Sequence, residues 1–375
     1  MIATTRPVLS VCEPTLYVAF ELGKQSWMLG MTSGFGVDAW VRAVPSGDWR
    51  ALERVLRAGR LRFGLPAAAP VVSCYEAGRD GFWIHRALTA AGMANRVVDS
   101  ASIEVNRRAR RAKTDRIDAR TLVRMLVRVC YGEQKVWSEV RVPSVADEAA
   151  RHVSRERTAL VQDQTRLVNQ MRGWLTTWGA ALPAQRRGGW WAQVRDWADA
   201  ALPVAVQARL ERAEARLAVL AEQIAALDGR QRAAVAQAPA TSALRQLVRL
   251  KGVATTGASV LLAEGLLWRE FRNRRQIGGL LGFAPTPYAS GDVTREQGIT
   301  RAGNARLQAL SIQLAWSWVR WQPQSALTQW FQLRFGEGKR ARRIGIVAVA
   351  RKLVIALWRY VTTGVVPEGA VVKVA

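Results

Sequence analysis

Near residue 143 this chain changes period. Ahead of that point "TLYVAFEL" (15–22), "SWMLGMTS" (26–33) and "VDAWVRAV" (37–44) are short β-rich runs separated by turn-length segments, which predicts an antiparallel meander. Helical and strand patterns then alternate: a helix over 47–60, a buried-type strand "APVVSCYE" (69–76), a helix over 79–92 and a strand "NRVVDS" (95–100). A last helix opens after Thr114, a good N-cap, and runs to about Cys130. From Pro143 to about Gln237 the pattern is purely helical. A chain that stops making strands in this way must build a mixed α/β domain first and a helical region after it.

In the helical stretch Leu210, Ala213, Leu217, Leu220, Ile224 and Leu227 recur by threes and fours with charges between them. Such a seam fits a helical hairpin closing on residues 148–175 of the same chain, or a coiled coil pairing two subunits. A third region, about 241–375, is helical and basic. Within it "LVRLKGVATTGASVLLAEG" (247–265) has the outline of a helix–hairpin–helix, whose turn N–H groups can grip a phosphate. The expected organisation is residues 1–140 as the α/β domain, 141–240 as a helical coiled-coil middle, and 241–375 as a mainly α domain.

Charge narrows the partner. The 55 Lys and Arg against 29 Asp and Glu give a formal +26, which calls for a polyanion. Nucleic acid leads. A membrane is the weaker choice, because Arg351, Lys352 and Arg359 break the most apolar C-terminal stretch, 344–360. The N-terminus lacks a compact charged-then-apolar signal, so a cytoplasmic protein is expected. Cys12, Cys74 and Cys130 are widely spaced and only two histidines are present, which argues against a zinc site or a disulfide framework. The sixteen tryptophans are expected mainly in packing.

Nine Lys or Arg lie between positions 101 and 129, and "KTDRIDAR" (113–120) sits among them. On a helix opening at Thr114, Asp115 and Asp118 share a face, while Arg116, Arg120, Arg124 and Arg128 form a separate stripe suited to nucleic-acid backbone. Glu21 ends the strand "LYVAFE" and Glu76 ends "VVSCYE". Two carboxylates from strands and two from one helix suit a pair of Mg²⁺ ions about 4 Å apart, clamping the attacking and leaving oxygens of a phosphodiester. That is an RNase H-like arrangement. Lys113, Arg272, Arg274, Arg275 and Arg301 complete the cations expected at nucleic acid, and "GKRARR" (338–343) is a further basic cluster.

In order, "YVAFELGKQSW", "CYEAGRDGFW" and "RRAKTDRIDARTL" resemble the acidic motifs of the DEDD transposases of bacterial insertion sequences. More narrowly, the chain resembles the insertion-sequence family numbered one hundred and ten, whose first domain is similar to the RuvC Holliday-junction resolvase. Residues 247–265 and 271–316 look like that family's second, transposase domain. The resemblance implies a RuvC-like domain of RNase H fold followed by a transposase domain. It implies a recombinase using a bridge RNA to join donor and target DNA, working as a dimer or tetramer in the bacterial cytoplasm, at the nucleoid. It also implies a serine nucleophile, matched by Ser290 in "PYASGD", with Mg²⁺ on Glu21, Glu76, Asp115 and Asp118. Pro285, Pro287 and Gly291 around Ser290 predict a turn there. The family's usual first acid is Asp, and Glu21 is one methylene longer. Its usual Gly-x-Gly turn reads "GVA" here, with Ala254 in place of the second glycine. Two other functions compete: a metal-dependent junction nuclease that hydrolyses with water, and a non-catalytic nucleic-acid-binding protein.

Overall fold

The computed structural model describes residues 13–78, 81–104, 114–290, 293–300 and 302–373; at residues 101, 287–290 and 293–297 only the backbone is described. The chain divides into two compact units, Met1–Pro143 and Ser144–Ala375.

In the first unit, β1 (Leu16–Leu22), β2 (Ser26–Thr32) and β3 (Trp40–Pro45) precede α1 (Trp49–Arg62). There follow β4 (Val71–Glu76), α2 (Trp83–Ala90), β5 (Ala94–Val98) and α3 (Asp115–Cys130). The strands form one sheet in the order β3-β2-β1-β4-β5. The expected meander is present, since β1 pairs antiparallel with β2 and β2 with β3, while β4 and β5 continue from β1 in parallel. Both faces of the central strands are covered, which is why β1 and β4 read as unbroken apolar runs. Leu16, Val18, Phe20 and Tyr75 pack with Leu52 and Leu56 of α1 and Ile84 and Leu88 of α2. On the other face Tyr17, Ala19, Val72 and Cys74 pack with Leu122, Val123 and Leu126 of α3. The first helix is capped by Asp48, whose Oδ1 accepts from Ala51 N at 2.9 Å, and it opens at Trp49, within two residues of the expected start. At α3 the expected cap holds: the Thr114 hydroxyl accepts from Ile117 N at 3.3 Å.

The second unit opens with α4 (Val145–Thr176), α5 (Trp190–Gln193) and α6 (Val204–Gln237). The apolar seam closes within the chain. Leu210, Ala213 and Leu217 of α6 bury against Leu167, Met171 and Leu175 of α4, and Arg157 Nε meets Asp228 Oδ1 at 2.5 Å further along the pair. Of the two readings of the seam, the intramolecular hairpin is therefore present.

Beyond it come α7 (Ala243–Arg249), α8 (Thr255–Leu261), a π-helical turn (Leu262–Leu266) and α9 (Arg274–Leu280). The hairpin β6 (Pro285–Ser290) and β7 (Val293–Ile299) precedes α10 (Ala305–Trp321), α11 (Ala326–Phe335) and α12 (Lys339–Thr363). The last helix supplies the centre of this core through Ile346, Val349, Ala350, Leu353, Val354 and Leu357. The apolar stretch 344–360 is thus a core helix, and among the described residues no helix is long and apolar enough to cross a membrane. Gly252 turns α7 into α8 at φ +88°, where a Cβ would also lie 3.3 Å from the Ser317 carbonyl oxygen.

Candidate active site

Glu21 and Glu76 come level through the sheet register. Phe20 of β1 stands opposite Tyr75 of the parallel neighbour β4, so the next residue on each strand is a glutamate. Adjacent strands lie about 4.8 Å apart, and residues level in a parallel pair point to one face. That face belongs to α3, because Tyr17 and Ala19 of β1, and Val72 and Cys74 of β4, pack against it at alternate positions.

The helix is seated over this end of the sheet by a close approach. A Cβ on Gly30 would lie 2.3 Å from the Ala119 carbonyl oxygen, and Gly30 pairs with Ala19 two residues before Glu21. Helical spacing puts Asp115 and Asp118 in line with the buried Ala119, Leu122 and Leu126, one turn nearer the helix start. All four acids thus belong to one face and one end of the sheet. Glu21, Glu76 and Asp118 are half-buried and Asp115 is exposed.

The donors are hard carboxylate oxygens, the type that Mg²⁺ takes. Among the described residues no three His, Cys, Asp or Glu side chains form a group able to hold a metal ion. A caged structural metal is therefore a poor match for this end of the sheet. An ion such as Mg²⁺, which keeps several waters, needs only one or two carboxylates together with a substrate phosphate.

On the outer side of α3, Arg116, Arg120 and Arg124 are exposed. Arg124 Nη2 lies 3.5 Å from Asp38 Oδ1 with both side chains in solvent, a weak pair. Arg128 keeps its place in the stripe but is ion-paired. Its Nη2 donates to Glu104 at 2.9 Å and its Nε to Glu133 at 2.7 Å. The hydrogen bonds that it donates to Glu133 and then to Glu104 hold the guanidinium pKa above its ordinary value. Its charge is matched by two carboxylates, unlike that of Arg124. Lys113 lies outside the described residues.

In the second unit Ser290 is the last residue of β6, paired with Val293 of β7. The backbone is a strand end where the sequence predicted a turn; residues 291 and 292, which join the two strands, lie outside the described residues, as does Arg301. Two prolines within β6 are tolerated because the hairpin has only two strands and its register shifts between Pro285 and Pro287. Arg272, Arg274 and Arg275 are exposed around the start of α9, where Asn273 Oδ1 accepts from Arg275 N at 3.0 Å and from Gln276 N at 3.2 Å. Cations in a first helical turn oppose the helix dipole, so their placement does not serve the helix.

One residue of this unit escaped the sequence reading. Glu264, in the π-helical turn, is 1% exposed and takes a two-pronged ion pair from Arg155 of α4 at 2.7 and 2.9 Å. Burial pushes its carboxyl up, but Arg155 and then Asn304 outweigh that and hold it below the ordinary glutamate range. The available signal was an acid inside the apolar run "LLAEGLL", where a charge needs a buried partner.

Residues 244–329 match the family described as Transposase IS116/IS110/IS902 family. The chain is similar over most of its length to y4rJ of Sinorhizobium fredii, a protein named as a transposase, with 41% identity over 96% of this chain and 94% of that protein. A second Sinorhizobium fredii protein named as a transposase, y4qE, is 28% identical over 77% of this chain and 74% of its own. The transposase for insertion sequence element IS1328 of Yersinia enterocolitica is 25% identical over 68% of this chain and 73% of that protein.

Proposed function

The chain belongs to the IS116/IS110/IS902 transposase family, and from that premise we propose that it is an RNA-guided DNA recombinase of an insertion sequence. In this reading it binds donor DNA, target DNA and a guide RNA, and it cuts and rejoins DNA through a phosphoserine link at Ser290. The observation that carries the reading is the placement of Glu21, Glu76, Asp115 and Asp118 at one end of one sheet face. The strand order β3-β2-β1-β4-β5, antiparallel in its first three strands and parallel in the rest, supports an RNase H-like first unit.

The chemistry assigned to Ser290 balances without an external energy source. Its Oγ forms a bond to phosphorus while one sugar–phosphate P–O bond breaks; the serine gives up a proton and the leaving sugar oxygen takes one. Reversal by a different sugar hydroxyl restores the serine and rejoins the strand. Glu21, Glu76, Asp115 and Asp118 would hold Mg²⁺ only together with substrate phosphate, one or two of them to an ion; its charge would offset that of the attacked phosphate and promote ionisation of a weak nucleophile. The extra methylene of Glu21 places its carboxylate further from the β1 backbone than an aspartate would. Arg116, Arg120 and Arg124 on α3, and Arg272, Arg274 and Arg275 around α9, hold nucleic-acid backbone.

The test uses the full chain with guide RNA, cognate DNA and Mg²⁺. The wild-type protein is expected to form a protein–DNA adduct that survives denaturation and maps to the peptide containing "PYASGDVTR". Ser290→Ala and Asp118→Asn should each lose adduct and strand exchange while binding DNA within about twofold of wild type, since backbone contacts dominate the interface. Adduct formation by Ser290→Ala would overturn the serine assignment. Cleavage by the wild type with no adduct would make the protein a hydrolytic nuclease.

A further inference from the structure

The loop between β2 and β3 holds an aromatic ring out in solvent. Phe35 is 63% exposed, although the loop that carries it is firmly tied. The buried Thr32 hydroxyl donates to the Val37 carbonyl at 3.0 Å and accepts from Gly34 N at 3.4 Å, and Gly34 and Gly36 take φ values of +151° and +78°. Tyr131, which ends α3 and is itself 44% exposed, meets Phe35 edge to face with ring centroids 5.5 Å apart. The Tyr131 hydroxyl also lies near the loop backbone, 3.3 Å from where a Cβ on Gly34 would be. Two rings are thus fixed at the surface without being enclosed by the core.

Beside Phe35 opens a pocket of about 370 Å³ whose lining includes Val127, Asp38, Arg124 and Arg128. Its volume is near the lower end of ligand sites, enough for one ring system. The two arginines differ. Arg128 is matched by Glu104 and Glu133, whereas Arg124 meets Asp38 across solvent at 3.5 Å, a contact that a phosphate can replace. Arg124 also continues the line of Arg116 and Arg120 along α3.

We propose that this pocket receives an unpaired nucleobase of a single-stranded segment, stacked on Phe35 with its phosphate at Arg124. The proposal rests on the reading of the α3 arginines as a nucleic-acid track. It adds a place where base-pairing is excluded, because a base paired to a partner strand cannot put its face against the ring. Every base has a π face, so the pocket selects strandedness over sequence. An apolar side chain of another protein would use Phe35 but leave Arg124 without a role.

The full-length protein is titrated with single-stranded DNA, single-stranded RNA of the same sequence, and the DNA duplex, with 2-aminopurine in place of one base. Phe35→Ala is expected to weaken single-strand binding about 10-fold, to relieve 2-aminopurine quenching, and to leave duplex binding within about twofold. Phe35→Trp should restore binding, which a purely structural role for the ring would not require. Arg124→Gln should flatten the salt dependence by about one unit of slope. The arm that responds, DNA or RNA, names the strand that enters. Equal losses on single strand and duplex, or no loss with the fold intact by circular dichroism, would overturn the pocket. So would a change in sedimentation with binding unaltered, which would make Phe35 a contact between copies of the chain. A wild-type protein that binds no nucleic acid defeats the parent reading; one that binds without regard to Phe35 defeats this inference alone.

Discussion

Glu264 sits in an environment that its neighbours in sequence do not suggest. It sits 1% exposed in an apolar run, and Arg155 reaches it from a helix more than a hundred residues away. Desolvating a carboxylate is costly, and the paired guanidinium offsets that cost. Because the folded carboxyl is held below its ordinary range, its contribution to stability is complete above the unfolded glutamate pKa. That contribution fades as pH falls through the folded value. Arg155→Ala should therefore destabilise the protein by about 2 kcal/mol at neutral pH, less than full burial would give because Arg155 is partly exposed. The gap in Tm to wild type should narrow as the pH is lowered, since the orphaned carboxyl of the variant can protonate. A gap of the same size at every pH would show that Arg155 acts through its stem packing and not through the charge pair.

At the scale of elements, α3 links sequence to candidate site most directly. Its start was legible because Thr114 is a strong cap and the apolar residues after it step by threes and fours. The strands that carry Glu21 and Glu76 were legible as apolar runs, although β1 runs one residue past Glu21, and the common level of the two acids follows from parallel pairing that no local pattern announces. The hairpin β6–β7 was not legible. Pro285 and Pro287 count against a strand, and "VTREQGI" is too polar to alternate, so the prolines and Gly291 read as a turn around Ser290 without flanking strands. The ion pairs of Arg128 were equally hidden, because Glu104 is 24 residues away and reaches it only through the fold. Gly30 is where α3 comes close to the sheet. With the Ala119 carbonyl oxygen 2.3 Å from its would-be Cβ, Gly30→Ala must push α3 off β2. A loss of about 1–3 kcal/mol in denaturant unfolding is expected. Strand transfer should fall further than that instability explains, because the helix that shifts carries Asp115 and Asp118. Full activity in a folded Gly30→Ala protein would mean that the seating of α3 does not set the acids.

For the whole molecule the governing quantity is the +26 charge, and the question is how much of it touches phosphate. A general field and a set of contacts behave differently with salt. Screening confines the field of exposed charges to roughly 8 Å at physiological ionic strength, so distant cations speed encounter more than they hold the complex. Each phosphate neutralised in contact instead adds about 0.9 to the slope of log K against log salt on duplex DNA. Arg116, Arg120 and Arg124 in the first unit, with Arg272, Arg274 and Arg275 in the second, are exposed and proposed as contacts. Each trio that engages duplex DNA contributes about 2 to 3 to the slope. Replacing the α3 trio by Gln should flatten the wild-type slope by about 2 to 3, replacing the α9 trio should do the same, and the two losses should add. Arg128→Gln is the internal control. Its charge is matched by Glu104 and Glu133, so it should leave the slope unchanged. A steep slope that survives loss of both trios would place the contacts elsewhere on the surface. A slope moved by one trio only would identify the unit that holds the duplex, leaving the other free for the guide RNA.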